Sequence, residues 1–176
     1  IIKEPPPGLY PEPRVWMEAK DLEGFNAHFS FGFVNKPSTF HPLEGALIHP
    51  YDECLVFEGT DPDKGILSLG AEVSIELGEE REEYTFNEPS VVLIPKGLPH
   101  GPAKVKKLKR PIAHYSIGLA PEYKASPVPP ESLKPAGKGK KYRHLSKKMV
   151  TTVDKSQAEG RMPGVIGDDG IIDRKS

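Results

Sequence analysis

The stretch His49-Pro50-Tyr51-Asp52-Glu53-Cys54-Leu55-Val56-Phe57-Glu58-Gly59, taken with Pro95-Lys96-Gly97-Leu98-Pro99-His100-Gly101, decides how this chain is read. Each segment sits at the edge of an apolar, strand-like run. Pro50-Tyr51-Asp52 marks a tight turn, so His49 is expected to end one strand and Glu53 to begin its antiparallel neighbour. His100 follows the apolar run Val91-Val92-Leu93-Ile94 and a rigid turn bounded by Pro95 and Pro99. Two imidazoles and a carboxylate at strand ends are a donor set typical of a mononuclear transition-metal site. Taken singly, His49 and Glu53 also suit a solvated hairpin, and His100 a turn histidine.

The flanking sequence points to many short strands. Phe25 to Phe33 alternates almost strictly, which predicts a strand with Phe25, Ala27, Phe29, Phe31 and Phe33 on its buried side and His28 pointing outward. Further runs are Val15 to Asp21, Ala46 to His49, Cys54 to Phe57, Gly70 to Leu77, Glu82 to Phe86, Ser90 to Ile94 and Ile112 to Leu119. Most are bounded by Gly, Pro or Asn, the pattern of a sandwich or barrel. Lys104 to Arg110 is expected to join two of the strands. The glutamates from Glu72 to Glu88 are expected to form a solvated face. The 20 prolines and 17 glycines argue against long helices.

The 176 residues suit one domain with extensions. We read 1–14, with five prolines, as an extended arm; 15–120 as the barrel; and 121–176 as a linker and extension. The extension would pack on the barrel, cross to a partner subunit or stay disordered. With 24 basic and 25 acidic residues the net charge is -1, which gives no overall pull toward nucleic acid or a membrane surface. No apolar run reaches the roughly 20 residues of a membrane span. The single cysteine, Cys54, excludes an internal disulfide framework and suits a reducing, cytoplasmic setting. It reads as a small buried filler rather than a nucleophile.

The two motifs together resemble those of the cupins, small double-stranded β-helix barrels. Pro95-Lys96-Gly97-Leu98-Pro99-His100 matches the second cupin motif in full. Leu47-Ile48-His49, Glu53 and Gly59 match the first in part, since Leu47 stands where the pattern has a histidine. The resemblance covers roughly residues 25 to 120. It implies an all-β cupin barrel, pairing as a homodimer, with one divalent metal (Fe, Mn, Ni, Co or Zn) inside. Three ligand readings follow. The metal uses His49, Glu53 and His100 alone; or His41, in Thr39-Phe40-His41-Pro42, replaces the missing ligand; or the site is degenerate. His114 is either a pocket acid or base or a core histidine.

The implied function is a metal-dependent small-molecule enzyme of the dioxygenase, decarboxylase or isomerase kind. Its substrate would be a small carboxylate or a sugar-like compound. The alternative is a non-catalytic cupin that binds or senses a small ligand, which the loss at Leu47 favours. A structural role in a larger assembly is hinted at only by the C-terminal extension.

Overall fold

Strands rich in β-branched and aromatic residues, separated by proline and glycine turns, leave the chain two antiparallel sheets as the way to bury one face of each. The computed structural model describes residues 2–63 and 68–149. The strands are β1 (Ile2–Lys3), β2 (Arg14–Met17), β3 (His28–Val34), β4 (Ser38–Phe40), β5 (Leu47–Ile48), β6 (Glu53–Gly59) and β7 (Ala71–Leu77). They continue as β8 (Glu82–Phe86), β9 (Ser90–Ile94), β10 (His100–Leu108), β11 (Ile112–Gly118), β12 (Ser126–Pro127) and β13 (Ser146–Lys148). One sheet runs β1-β2-β3-β11-β6-β9-β13, and the other β12-β5-β10-β7-β8 with β4 also paired to β10. Helix among the described residues is limited to three-residue turns at Ala19–Asp21, Pro130–Ser132 and Arg143–Leu145. None is long and apolar enough to cross a membrane.

The core lies between the sheets. Leu55 and Phe57 of β6, Val73, Ile75 and Leu77 of β7, and Ile112 of β11 are fully buried. Residues 104–108 are part of β10 rather than a connection, and Val105 lies in the core. Lys104 and Lys106 flank buried Val105, but Lys107 follows Lys106 directly at a register shift, so the strand's period of two is masked. Glu76 and Glu82 are also buried, against the expectation of a wholly solvated face. Arg81 and Lys104 neutralise Glu76, and the Tyr84 hydroxyl and the Lys141 N–H reach Glu82.

Strand β3 is inverted relative to the sequence reading. Phe25 is 70% exposed and Phe33 58%, whereas His28 is 2% exposed. Directly opposed residues of an antiparallel pair share a face. His28, Ser30 and Gly32 oppose Gly118, Ser116 and His114 of β11, so this end of the barrel is lined by polar and small residues. The phenylalanines lie on the outer face, where Phe31 stacks on Tyr115 with centroids 4.8 Å apart. The period was legible, but greater apolarity did not mark the inner side.

The proline-rich N-terminus also contributes to the core. β1 pairs with β2, and Leu9 and Tyr10 are buried. The Leu9 carbonyl accepts from the His41 N–H at 2.7 Å. At the other end, residues 121–149 wrap the barrel: β12 pairs with β5 and β13 with β9. Residues 150–176 of the expected extension lie outside the described residues. If the N-terminal segment is integral, Leu9→Ala should destabilise the protein by about 2–5 kcal/mol, as for a buried leucine. Denaturant unfolding would detect it; a change near zero would mean that the segment is only draped on the surface.

Candidate metal centre

The chain crosses from one sheet to the other between His49 and Glu53. His49 follows β5, which pairs with β10 and β12, while Glu53 opens β6 in the opposite sheet. The two are therefore not antiparallel neighbours as expected; the turn carries them across the barrel. His100 opens β10 and is paired with Leu47. His41 follows β4, itself paired to β10. A side chain at Gly101 (φ +89°) would collide with the His41 carbonyl oxygen, so that glycine lets the His41 backbone pass against β10. His41 itself sits at φ +52°, a left-handed conformation that costs energy for a non-glycine residue and is often found at functional sites.

The result is a group of four: His41, His49, Glu53 and His100, with ligand atoms all within 4.8 Å of one another. Each is between 0% and 3% exposed. The Nε2 atoms of His41, His49 and His100 lie 3.1, 3.4 and 3.6 Å from Glu53 Oε2. The other carboxylate oxygen, Oε1, accepts from the Ser116 hydroxyl at 2.6 Å, which turns Oε2 toward the imidazoles.

Backbone carbonyls fix two of the three rings. His49 Nδ1–H donates to the Lys124 carbonyl at 2.7 Å and His100 Nδ1–H to the Leu98 carbonyl at 3.0 Å. A carbonyl oxygen only accepts, so the hydrogen must sit on Nδ1 and each Nε2 keeps its lone pair. Both Nε2 atoms are buried without a hydrogen-bond partner. Lone pairs facing an ionised oxygen repel unless positive charge lies among them. This donor set fits a divalent transition metal, which takes neutral imidazole nitrogens and a carboxylate.

Burial raises the Glu53 pKa, but the His41 and His49 imidazoles outweigh it and hold the carboxyl well below its usual range. Burial and then His41 push His100 down to about 3. For His49 burial opposes the charge, yet the neighbouring Glu53 carboxylate prevails and raises its pKa. His114 is held well below the usual value by burial and then by Arg14.

No protein-family model and no curated protein sequence matches the chain. Solved structures to which the chain is similar include an oxalate decarboxylase from Bacillus subtilis, at 10% identity and a TM-score of 0.45. That match covers 66% of this chain and 28% of the decarboxylase chain. An oxalate oxidase in complex with glycolate matches at 12% identity and a TM-score of 0.45, covering 66% of this chain and 60% of that one. The fold itself is two antiparallel sheets enclosing a three-histidine, one-glutamate group.

Several residues around the group were not singled out from sequence. Tyr10 and Ser116 touch it directly, through His41 and Glu53. Tyr51 stacks on His49 with centroids 5.0 Å apart, and Tyr123 meets His49 edge-on at 5.4 Å. Their spacing carries no motif, so only the fold could place them. His28, given no role in the sequence reading, lies against Tyr51, with Nδ1–H donating to the Ala120 carbonyl and Nε2 unpartnered. His114 is a core histidine: fully buried, stacked on Phe57, with Nδ1–H donating to the Val56 carbonyl at 3.0 Å. Cys54 is half-buried on the outer face, and burial, then Glu53, raise its thiol pKa.

His100 and His114 stay neutral in the folded protein but would protonate near pH 6.5 when unfolded. Stability should therefore fall as pH drops below about 6.5, by up to about 1.4 kcal/mol per pH unit for each, with His49 offsetting part. Unfolding in chelator should show a loss of roughly 2 kcal/mol between about pH 6.5 and about pH 5. A flat profile would contradict buried neutral imidazoles.

Proposed function

We propose that this protein is a metal-dependent small-molecule enzyme whose ion is held by His41, His49, Glu53 and His100. The observation that carries the proposal is the convergence of two partnerless, backbone-fixed Nε2 lone pairs on a buried, ionised carboxylate oxygen. His41 takes the place that Leu47 leaves empty in the first motif. A bound divalent ion there would supply Lewis acidity. Glu53 supplies its ionised Oε2, and Ser116 keeps that oxygen aimed inward. The rings of Tyr51 and Tyr123 pack against His49, and the four residues are almost wholly enclosed. The imidazole-rich set favours Fe, Mn, Ni, Co or Zn over the hard cations Ca and Mg. The reaction class we assign is dioxygenation, decarboxylation or isomerisation of a small carboxylate or sugar-like substrate.

One observation favours a second reading, a non-catalytic ligand-binding or sensor barrel. All four residues are almost wholly enclosed, and the segment around Tyr123 and Lys124 lies across His49. Turnover of added substrates by the metal-loaded protein separates the two.

Protein purified without a histidine tag should carry close to one transition-metal ion per chain. His100→Ala should lose it, and its thermal midpoint should match that of chelator-treated wild type, because only the binding contribution to stability is lost. A His100→Ala protein with its full metal complement would sink the site assignment.

The assembly we propose is a homodimer formed through the outer face of the larger sheet. Met17, Phe29, Ile117, Cys54 and Leu93 lie in register across five strands of that face. Val15, Phe31, Tyr115, Val56 and Val91 form the neighbouring row. A continuous apolar sheet face of this kind marks an association surface. Phe31→Glu should convert a dimer to a folded monomer, read by sedimentation; a wild-type monomer at micromolar concentration would refute the pairing.

A further inference from the structure

Of the three imidazoles in the group, only His41 lacks a backbone carbonyl behind its ring. Its Nδ1 lies 2.8 Å from the Tyr10 hydroxyl, a group that both donates and accepts. Tyr10 is buried, and its hydroxyl lies 3.4 Å from His114 Nε2, long for an O–H donor but within reach of it. The Ser30 and Ser116 hydroxyls are also near the Tyr10 oxygen, but the His114 acceptor is held in place. His114 Nδ1–H must donate to the Val56 carbonyl at 3.0 Å, so Nε2 can only accept. The ring is clamped by its stack on Phe57, with centroids 4.5 Å apart and planes 26° apart.

We propose that Tyr10 and His114 are positioning residues that set the tautomer of His41 through a two-state hydrogen-bond relay. The inference rests on the metal site proposed above. In the first state Tyr10 O–H donates to His41 Nδ1, and His41 Nε2–H donates to Glu53 Oε2, 3.1 Å away. In the second, His41 carries its hydrogen on Nδ1 and donates to the Tyr10 oxygen, while Tyr10 O–H donates to His114 Nε2. Each residue keeps one exchangeable hydrogen in both states; the hydrogen on His41 moves from Nε2 to Nδ1. Only the second state gives a cation the Nε2 lone pair. His114 therefore supports metal binding from two residues away, by offering the Tyr10 hydrogen an acceptor. Because Tyr10 lies in the N-terminal segment, that segment is part of the metal site's machinery.

The test uses full-length protein and zinc, with affinity measured by chelator competition and tautomers by nitrogen-15 NMR of the histidine rings. In wild type, His41 should hold its hydrogen on Nε2 without metal and on Nδ1 with zinc, while His49 and His100 keep theirs on Nδ1 throughout. His114→Phe keeps a ring on Phe57 but removes the acceptor, and should weaken zinc binding by about tenfold or more, the scale of losses around ligating histidines. His114→Gln offers a carbonyl acceptor again and should recover most of that loss. A purely structural role for His114 predicts instead that Gln does as badly as Phe. Zinc affinity unchanged in His114→Phe, or His41 holding its hydrogen on Nδ1 with and without zinc, would overturn the relay and leave the metal site standing. A wild-type protein that takes no zinc would overturn both. The NMR measurement needs no variant, so a His114→Phe chain that fails to fold leaves the relay open to refutation.

Discussion

An ionised carboxylate at the centre of a protein is costly unless its surroundings replace water in full. Glu53 is that group here, and the barrel is arranged around it. Its ligand-side neighbours come from both sheets and from the turns that link them: His41 after β4, His49 on the crossing, His100 at the start of β10 and Ser116 on β11. No local segment could assemble this group alone. The polar lining of β3 and β11 follows from the same constraint. Ser116 of β11 faces inward to Glu53, and the small and polar side of β3 that opposes it turns inward with it, which leaves the aromatic side as outer surface.

The imidazoles are oriented by different means. His100 is fixed by the carbonyl of Leu98, two residues away, so its motif is self-contained. His49 depends on Lys124, far along the chain. His41 depends on side chains alone. Dependence on the rest of the fold therefore grows from His100 to His49 to His41.

That gradient also describes what the sequence disclosed. His100 was legible because the rigid turn and the ligand are contiguous, and strands β8 and β9 were legible to the residue because turn signals bound them. His41 could only be offered as one alternative, since its arrival depends on β4 pairing with β10 across more than 60 residues. Tyr10 and Ser116 were invisible because isolated polar residues carry no spacing signal. The inward face of β3 is hidden in the sequence because hydrophobicity ordinarily marks the interior, and the interior at this end is polar. The second half of β10, from Lys104, reads as a connection because its outward lysines are consecutive in part.

The segment that closes the mouth has a consequence of its own. Lys124 sits between two residues of the site: its N–H donates to the Tyr51 hydroxyl at 3.1 Å, and its carbonyl orients His49. Any movement that admitted a molecule from this side would withdraw that carbonyl and free the His49 ring. Access from this side and the orientation of His49 are thus linked through one peptide unit. By thermodynamic reciprocity, whatever free energy the open mouth removes from ion binding, the bound ion adds to the work of opening. An ion held by this group would therefore oppose the opening of the segment that carries Lys124.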